Sequence, residues 1–236
     1  MKKVLDKAVN HFKKKEKILF LTTSNRWPGD KEKPKSTQLA EQIAKAVGQE
    51  KVTILDVPKL IIYNCEGNIS RGAGNNCGVK AALLKSKEKN PSNNHRCWAS
   101  FNNKDDELWK ISKELFQSDC VVFFGSVRWG QMNAYYQKLI ERLSWIENRH
   151  STLQEENLLK NIDAGLMIVG QNWNGKNVVE TQKQVLQFFG FNVVDVLCWN
   201  WQFTKDAEDE SQKSYQAALP KFKQEVLSKI KKTKEN

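Results

Sequence analysis

Hydrophobic residues follow two different rhythms along this chain. Short continuous apolar runs, such as 18–21 and 120–124, are typical of strands that are buried on both faces of a sheet. Longer segments repeat apolar residues every three or four positions, as in 39–47 and 132–146, which is typical of amphipathic helices. The two kinds of segment alternate along the chain, and this predicts a parallel sheet covered by helices on both faces.

The apolar runs predict strands at residues 18–21, 51–57, 120–126, 163–171 and 192–199. Helical periodicity predicts helices at residues 1–16, 36–48, 105–118, 131–146, 176–190 and about 207–232. Ser36 or Thr37 is expected to cap the second helix, and Pro220 is expected to kink the last one. Right-handed crossovers would join these units into an α/β fold with a doubly wound five-stranded parallel sheet. We expect a single domain over 1–236, with an insertion at 64–103 and a C-terminal helix within 207–236.

The segment 64–103 interrupts the alternation after the second predicted strand. It contains nine Asn and four Gly and few branched apolar residues, and only residues 81–84 favour a short helix. Loops of this length are uncommon unless they have a function or are disordered. Because the segment follows the carboxyl end of a strand, we expect it near the ligand edge of the sheet or over a partner subunit. Trp98 and Phe101 would cover a substrate or a neighbour, or, as we slightly favour, pin the loop to its own domain.

Composition narrows the class of protein without identifying it. The net charge is +11, but the excess of Lys and Arg lies in residues 1–17, 64–103 and 221–236, which is typical of solvated ends and loops. We therefore expect no nucleic-acid partner. No apolar run approaches 18 residues and no signal-peptide pattern follows the N-terminus, so we expect a cytoplasmic protein without a membrane partner. Five irregularly spaced Cys do not suggest a secreted disulfide scaffold.

The loops that follow three of the predicted strands carry the candidate chemistry, because ligands of such sheets bind at the carboxyl ends of the strands. The first loop contains the hydroxyl and amide groups of 22–25 and then Arg26. It leads to Lys35, Ser36 and Thr37 at a predicted helix start. Hydroxyl groups and a helix N-terminus together favour a phosphate site, although ordinary helix capping would use the same residue types.

The second and third loops combine aromatic and amide groups with glycine. Gly125 is expected to turn the chain, Trp129 to offer a flat surface, and Gly130 to allow a close backbone approach. The backbone amides of 131–133 are expected to be the free donors of a new helix. The third loop, 170–175, again places a Trp between amide side chains and glycines. A heteroaromatic ring could lie between these two loops, or Trp129 could simply cover the rim of the core.

The segments TTSNR…KSTQLAEQIA, SDCVVFFGSVRWGQMNAYYQKLIERL and IVGQNWNG resemble the flavodoxin-like family of NAD(P)H-dependent FMN reductases and iron–sulfur flavoproteins. The resemblance spans roughly 17–200. It implies bound FMN, NADPH or NADH as the electron donor, a small-molecule electron acceptor and a homodimer or homotetramer. It implies cofactor contacts by Ser24, Arg26, Ser36, Thr37, Gln38, Ser126, Val127, Arg128, Trp129, Gly130, Gln131, Met132, Asn133, Gly170, Gln171, Asn172 and Trp173.

Two residues depart from the family pattern. Ser126 stands where the family usually has Pro, and Arg128 stands where it usually has Tyr. An Arg there would stabilise a reduced anionic flavin, meet a cofactor phosphate or weaken flavin binding. Since the flavin supplies the chemistry, we assign no catalytic residue. Two alternatives remain open, a non-catalytic electron carrier and a binding protein of the same fold without flavin. Carriers of this kind usually present an acidic face to their partners, so the basic charge of this chain weighs against the carrier.

The cysteines resemble a metal-binding set only loosely. Cys65 matches the place of the cysteine cluster in the iron–sulfur branch, but Cys77 follows it only after 12 residues and Cys97 follows Cys77 after another 20. His95 could complete a zinc set of three Cys and one His, and two of the thiols could form a redox pair. Reduced, partly buried thiols are the simplest interpretation, and we assign no metal ligand.

Overall fold

The computed structural model describes residues 2–204, 206 and 208–230, and a parallel sheet runs through its centre. The strands are β1 (Ile18–Thr22), β2 (Val52–Asp56), β3 (Cys120–Arg128), β4 (Gln131–Met132), β5 (Asp163–Gly170) and β6 (Asn192–Gln202). The parallel strands are ordered β2-β1-β3-β5-β6, and the short β4 pairs with the end of β3 in an antiparallel hairpin. The predicted α/β fold with five parallel strands is therefore confirmed.

Seven helices belong to the part of the chain that the structure describes. They are α1 (Lys2–Lys13), α2 (Lys35–Val47), α3 (Trp98–Asn102), α4 (Leu108–Leu115), α5 (Ala134–Ser151), α6 (Gly175–Phe188) and α7 (Gln212–Glu225). The predicted helix at 81–84 is only a 3-10 turn, Lys80–Ala82. Pro220 lies inside α7, whereas residues 207 and 231–236 of the predicted C-terminal helix lie outside the described residues. None of the described helices is long and apolar enough to cross a membrane.

Two separate apolar cores lie on the two faces of the sheet. Alternate residues of each central strand point to opposite faces, so that Phe123 packs with α4, α5 and α6. Its neighbours Val122 and Phe124 pack with α1, α2 and α7. Burial on both faces explains why the strands appear in the sequence as continuous apolar runs rather than as alternating patterns.

The strand order fixes where a ligand can bind. Connections from β1 run to β2 on one side, and β3 lies on the other side of β1, so the chain changes direction between β1 and β3. In a flavodoxin-like order the ligand crevice lies beyond the carboxyl ends of the strands at this switch point. The loops that follow β1 and β3 therefore face each other across one crevice.

The end of β3 differs from the prediction. The chain does not turn at Gly125, which is paired in register with Ile168 of β5, and the strand continues to Arg128. Gly125 instead makes room for neighbouring side chains, because a Cβ there would lie 2.5 Å from Met132 Cε and 3.0 Å from Thr23 Oγ1. Glycine at this position thus serves packing between the strand and the hairpin.

The insertion packs against α4 and α5. Asn148 of α5 donates to the carbonyl oxygen of Cys77 at 2.6 Å, and Arg149 donates to that of Asn94 at 2.9 Å. Trp98 donates to the carbonyl oxygen of Asn76 at 3.0 Å, so it joins two parts of the insertion to each other. The favoured role for Trp98 and Phe101, holding the insertion to its own domain, stays a prediction. Because these groups belong to the helix layer, the insertion extends one core rather than the carboxyl edge of the sheet.

A fully buried ion pair lies just after the insertion, and its guanidinium also donates to Ser100 of the insertion at 2.9 Å. Arg142 of α5 donates to Asp106 at 2.8 and 3.0 Å, and both side chains are inaccessible to solvent. Burial alone would disfavour the carboxylate, but hydrogen bonds from Arg142 and Ser100 hold the pKa of Asp106 below its ordinary value. Asp106 Oδ1 also accepts from the Leu108 amide at 3.2 Å, at the start of α4, so the same carboxylate serves the helix and the buried guanidinium.

Candidate functional site

A cleft of about 870 Å³ opens at the carboxyl edge of the sheet, at the switch point between β1 and β3. Segments that follow β1, β3 and β5 form its walls, and the segment before and within α7 closes one side. The cleft is lined by Ser24, Asn25, Arg26, Trp27, Asp30, Pro34, Lys35, Ser36, Ser126, Val127, Arg128, Trp129, Val169, Gly170, Gln171, Asn172, Trp173, Glu210 and Tyr215.

The structure therefore brings together most of the predicted FMN contacts from three distant segments. Their role in binding FMN stays a prediction. The predicted contacts that do not line the cleft are Thr37, Gln38, Gly130, Gln131, Met132 and Asn133. Within the fully described insertion, no residue of 64–103 lines the cleft, so the structure does not place the insertion at the ligand. The alternative, that it lies over a partner subunit, stays a prediction.

The N-terminus of α2 points its free donors toward one end of the cleft. The residue before the helix is Pro34, which offers no capping side chain, and the first helical bond runs from the Gln38 amide to the Pro34 carbonyl. The amides of 35–37 therefore have no partner within the helix. The prediction that Ser36 or Thr37 caps α2 is wrong, because both residues lie inside its first turn.

Hydroxyl groups surround this helix end. Ser36 donates to the Ser24 hydroxyl at 2.7 Å, and both side chains are buried. Thr37 Oγ1 is also buried and has no hydrogen-bond partner among the described residues. Buried polar atoms are nearly always paired, so an unpaired hydroxyl in the first turn of an uncapped helix is a donor that an anion could use, although Thr37 itself does not line the cleft.

Positive charge is concentrated at the same end of the cleft. Arg26, Lys35 and Arg128 all line it, and Arg26 forms an ion pair with Asp30 at 3.0 Å. Burial, followed by the nearby charge of Arg26, lowers the pKa of Lys35, and Arg128 acts in the same direction. Three cations held this close repel one another, and a bound polyanion would relieve that repulsion.

The loop after β3 is a tight hairpin rather than the start of a helix. Val127 and Arg128 pair with Met132 and Gln131, so the two turn residues are Trp129 and Gly130. Both turn residues have positive φ, 49° and 69°, which is the geometry of a type I′ turn. The amides of 131–133 were expected to be free helix donors. That prediction is wrong, because β4 and the first residue before α5 occupy this segment.

Asn133 has a structural role beneath the cleft. Its side chain caps α5 by accepting from the Tyr136 amide at 3.1 Å, and its own amide donates to the Ser126 carbonyl at 3.0 Å. Its side-chain nitrogen donates to Thr23 Oγ1 at 3.1 Å. Asn133 thus joins the loop after β1 to the loop after β3 from below, and it is buried.

Trp129 stands at the tip of the hairpin with its indole 94% exposed. A bulky side chain with positive φ is uncommon and costs conformational energy, so some gain elsewhere must offset it. The neighbouring Gly130 packs against Trp173, since a Cβ at Gly130 would lie 2.5 Å from the Trp173 ring. Glycine was expected there for a ligand's approach, and the closest group is instead this second indole.

The third loop holds the hairpin in place. Asn174 adopts a left-handed conformation with φ 61° and donates to the Gly130 carbonyl at 2.7 Å. Asn172 donates to Glu210 at 2.9 Å, which ties this loop to the C-terminal segment. Gln171 Nε2 lines the cleft region, is buried and has no partner among the described residues. The predicted residues of this loop thus divide between holding the cleft walls and facing the cleft.

Several lining residues lay outside the predicted set. Glu210 and Tyr215 come from the C-terminal segment, where no local signal distinguishes them from an ordinary amphipathic helix. Trp27 and Asp30 lie in the charged loop after β1, where the dipeptide Trp27-Pro28 was an exposed aromatic signal that could have been used. Lys35 was noted at the predicted helix start but was not assigned to the cofactor.

The cysteines form no metal site in the structure. Among the described residues, no group of three or more His, Cys, Asp or Glu is arranged to hold a metal ion. Cys77 and Cys97 are buried, and burial, with smaller effects of Cys97 and Cys65, raises the pKa of Cys77 to about 12. His95 hydrogen-bonds through Nδ1 to Ser112 at 2.6 Å and packs against Trp145. All five cysteines are free thiols.

Comparison with known proteins places the fold. No protein-family model and no curated protein matches this chain. The crystal structure of RosB with a bound intermediate, 8-demethyl-8-formylriboflavin 5′-phosphate, matches with a TM-score of 0.56 and 13% identity, covering 90% of this chain and 76% of that one. An azoreductase from Bacillus anthracis matches with a TM-score of 0.50 and 12% identity, covering 92% and 100%.

A candidate quinone reductase from Klebsiella pneumoniae matches with a TM-score of 0.51 and 14% identity, covering 91% of this chain and 82% of that one. Identities this low establish a shared fold and no more. Together with the strand order, these matches show that the chain has the flavodoxin-like fold that its sequence resembles.

Proposed function

We propose that this protein is an FMN-dependent oxidoreductase that takes hydride from NADPH or NADH and passes electrons to a small-molecule acceptor. The observation that carries the proposal is the uncapped N-terminus of α2, which meets the buried hydroxyls of Ser24, Ser36 and Thr37 at the switch point of the sheet. A flavin phosphate at this place is what the fold and the donors together favour.

The phosphate end fits a dianion in its chemistry. The amides of 35–37 are unsatisfied donors, Thr37 Oγ1 is an unpaired buried hydroxyl, and Arg26 adds a cation at the rim. Neutral donors aligned with a helix axis bind phosphate without the desolvation cost of burying a full counter-charge. These residues would hold the tail of FMN.

The other end of the cleft fits a flat polar ring. Trp129 and Trp173 present indoles to the cleft, and Gln171 Nε2 is a buried donor without a partner. We propose that the indoles limit access to the ring and that Gln171 donates to a polar edge of the ring. Bound flavin supplies the hydride and electron chemistry. The chain's own residues bind, orient and shield it, and none of them need act as an acid or a base.

The similar structures support this proposal without establishing it. RosB holds a riboflavin 5′-phosphate derivative, and the two other matches are an azoreductase and a candidate quinone reductase. Planar acceptors are a reasonable first set to assay, because Trp129 and Trp173 offer aromatic surface at the mouth of the cleft.

The test is an anaerobic titration of protein loaded with FMN. Addition of NADPH or NADH should bleach the blue absorbance of the bound flavin, and a small quinone added afterwards should restore it. Bound flavin that neither donor reduces would indicate an electron carrier. If the protein takes up no FMN, the remaining interpretation is a binding protein of this fold without flavin.

A further inference from the structure

The cations of the cleft exceed what the flavin phosphate needs. Asp30 neutralises Arg26, whereas no carboxylate among the described residues lies within ion-pair distance of Lys35 or Arg128. The phosphate end already has three free amides and a hydroxyl. Two unpaired cations on the wall of one cleft therefore remain available to a second anionic group.

An indole with one free face stands beside these cations. Trp27 lines the cleft, and its ring lies directly over Gly29, since a Cβ at Gly29 would be 2.3 Å from Trp27 Cη2. The Asp30 amide donates to the Trp27 carbonyl at 2.9 Å and closes the turn. Trp27 as a whole residue is 77% exposed, so the backbone supports one face of its ring and solvent meets the other. Such a surface favours stacking of a nucleobase.

We propose that Trp27, Lys35 and Arg128 form a subsite for the phosphorylated adenosine half of NADPH. Adenine would stack on Trp27, and the 2′-phosphate would lie between the guanidinium of Arg128 and the ammonium of Lys35. The inference rests on the proposed function, because it assigns the electron donor of that reaction. NADH lacks the 2′-phosphate, so the subsite makes the protein selective for NADPH.

The chemistry of the two cations suits this ligand. Arg presents parallel donors that match two phosphate oxygens, and Lys supplies a compact charge. Arg128 lies in the hairpin strand, and its backbone pairs with Gln131. This pairing holds the Arg128 backbone in place, while the Arg128 side chain is exposed to solvent. Arg128 is also one of the two residues that depart from the family pattern in the sequence, and this subsite gives that departure a function.

The test uses FMN-saturated protein and two probes, adenosine 2′,5′-bisphosphate and 5′-AMP, with calorimetry and tryptophan fluorescence as readouts. The bisphosphate should bind at least about tenfold more tightly than 5′-AMP, because only it carries the 2′-phosphate. Arg128→Gln and Lys35→Gln should each lower the affinity for the bisphosphate about tenfold and leave that for 5′-AMP nearly unchanged. Lys31→Gln, an equal loss of charge on the same loop outside the cleft, should change neither.

Gly29→Ala provides an independent probe of the indole. The added methyl would displace the Trp27 ring without changing any charge, so both probes should bind more weakly and quench fluorescence less. Equal affinity for the two probes would overturn the inference. So would an affinity for the bisphosphate that Arg128→Gln and Lys35→Gln leave unchanged. If FMN displaces the bisphosphate, the bisphosphate occupies the flavin phosphate site, and this result would also overturn the inference.

Two further arms separate this inference from the proposed function. The inference fails if FAD binds more tightly than FMN to the wild type but not to Arg128→Gln. That result would show that the subsite binds the adenylate group of FAD rather than that of NADPH. Flavin uptake is read from visible absorbance, independently of the adenosine probes. If NADH and NADPH reduce the bound flavin equally well, the proposed oxidoreductase function stands and the proposed selectivity for NADPH is wrong. If the protein takes up no FMN, the proposed function fails, and the same probe titrations on the FMN-free protein still decide the subsite.

Discussion

The hydroxyl of Ser36 donates to the hydroxyl of Ser24 at 2.7 Å, with both side chains buried. This bond joins the first turn of α2 to the loop that leaves β1. It fixes the direction of the helix N-terminus relative to the sheet edge, and so it also fixes where the free amides of 35–37 point. The proposed phosphate site depends on this contact.

Ser36→Ala should weaken FMN binding about tenfold, which corresponds to the loss of one hydrogen bond near a charged group. Riboflavin, which lacks the phosphate, should bind the variant and the wild type equally. Flavin fluorescence titrations of both ligands measure the two effects. Ser118→Ala serves as the control, because Ser118 bonds to the Glu114 carbonyl away from the cleft. An equal loss for riboflavin would show that Ser36 supports the fold rather than the phosphate.

Trp129→Asn should separate stability from ligand binding. Trp129 has φ 49° in a type I′ turn, where Asn is strongly preferred, so the change should raise the free energy of unfolding by about 1 kcal/mol. The same change removes the indole from the cleft and should lower FMN affinity. Urea unfolding and flavin titration on one preparation measure both quantities. A variant that loses stability, or that binds FMN unchanged, would contradict the role given to Trp129.

Gly165→Ala and Gly170→Ala form a matched pair within β5. A Cβ at Gly165 would lie 2.3 Å from Leu197 Cβ and 2.7 Å from the Leu197 carbonyl oxygen, so backbone must move. At Gly170 the nearest atom is 3.5 Å away, an ordinary contact. We expect the first change to cost about 3 kcal/mol of stability and the second to stay within about 0.5 kcal/mol. The urea midpoint reports both, and similar values would contradict the packing described between β5 and β6.

His95 should make stability depend on pH between 7 and 5. Burial lowers the pKa of His95 from its ordinary value of 6.5 to about 3, so in this range the unfolded chain takes up a proton that the folded chain does not. Stability is therefore lost as pH falls through 6.5, by about 2 kcal/mol at pH 5. Most carboxylates titrate below this window.

His95→Gln isolates that contribution. The variant should start less stable at pH 7, because it loses packing on Trp145 and the bond to Ser112, yet it should lose much less stability on acidification. Urea unfolding at several pH values gives both slopes. Parallel slopes for the wild type and the variant would mean that another group governs this range.

Local patterns in the sequence were sufficient for the sheet. Apolar runs identified all five parallel strands. The central strands β1, β3 and β5 are buried on both faces, which explains their continuous apolar runs, whereas the edge strands β2 and β6 are only partly buried and contain polar residues such as Thr53 and Asp195. The hairpin after β3 was missed for a physical reason. A type I′ turn normally contains Asn or Gly, and Trp129 in its first position conceals the turn. The helical period of 132–146 then drew the predicted helix start too far toward the N-terminus.

Contacts between distant segments could not be predicted in this way. Arg142 has the sequence context of an exposed helical residue, and only the folded chain surrounds it with Asp106 and with Ser100 of the insertion. Glu210 reaches the cleft because Asn172 donates to it across the sheet edge. Nothing in the local sequence around either residue predicts this contact. Tertiary placement, rather than any local preference, decides the role of such residues.

The most direct test of the central claim is a comparison of FMN and riboflavin binding to the wild-type protein at equilibrium. If the N-terminus of α2 holds the phosphate, one FMN should bind per chain and riboflavin should bind at least about tenfold more weakly, since it cannot use those donors. Riboflavin binding as tight as FMN, or no binding of FMN at all, would contradict the account.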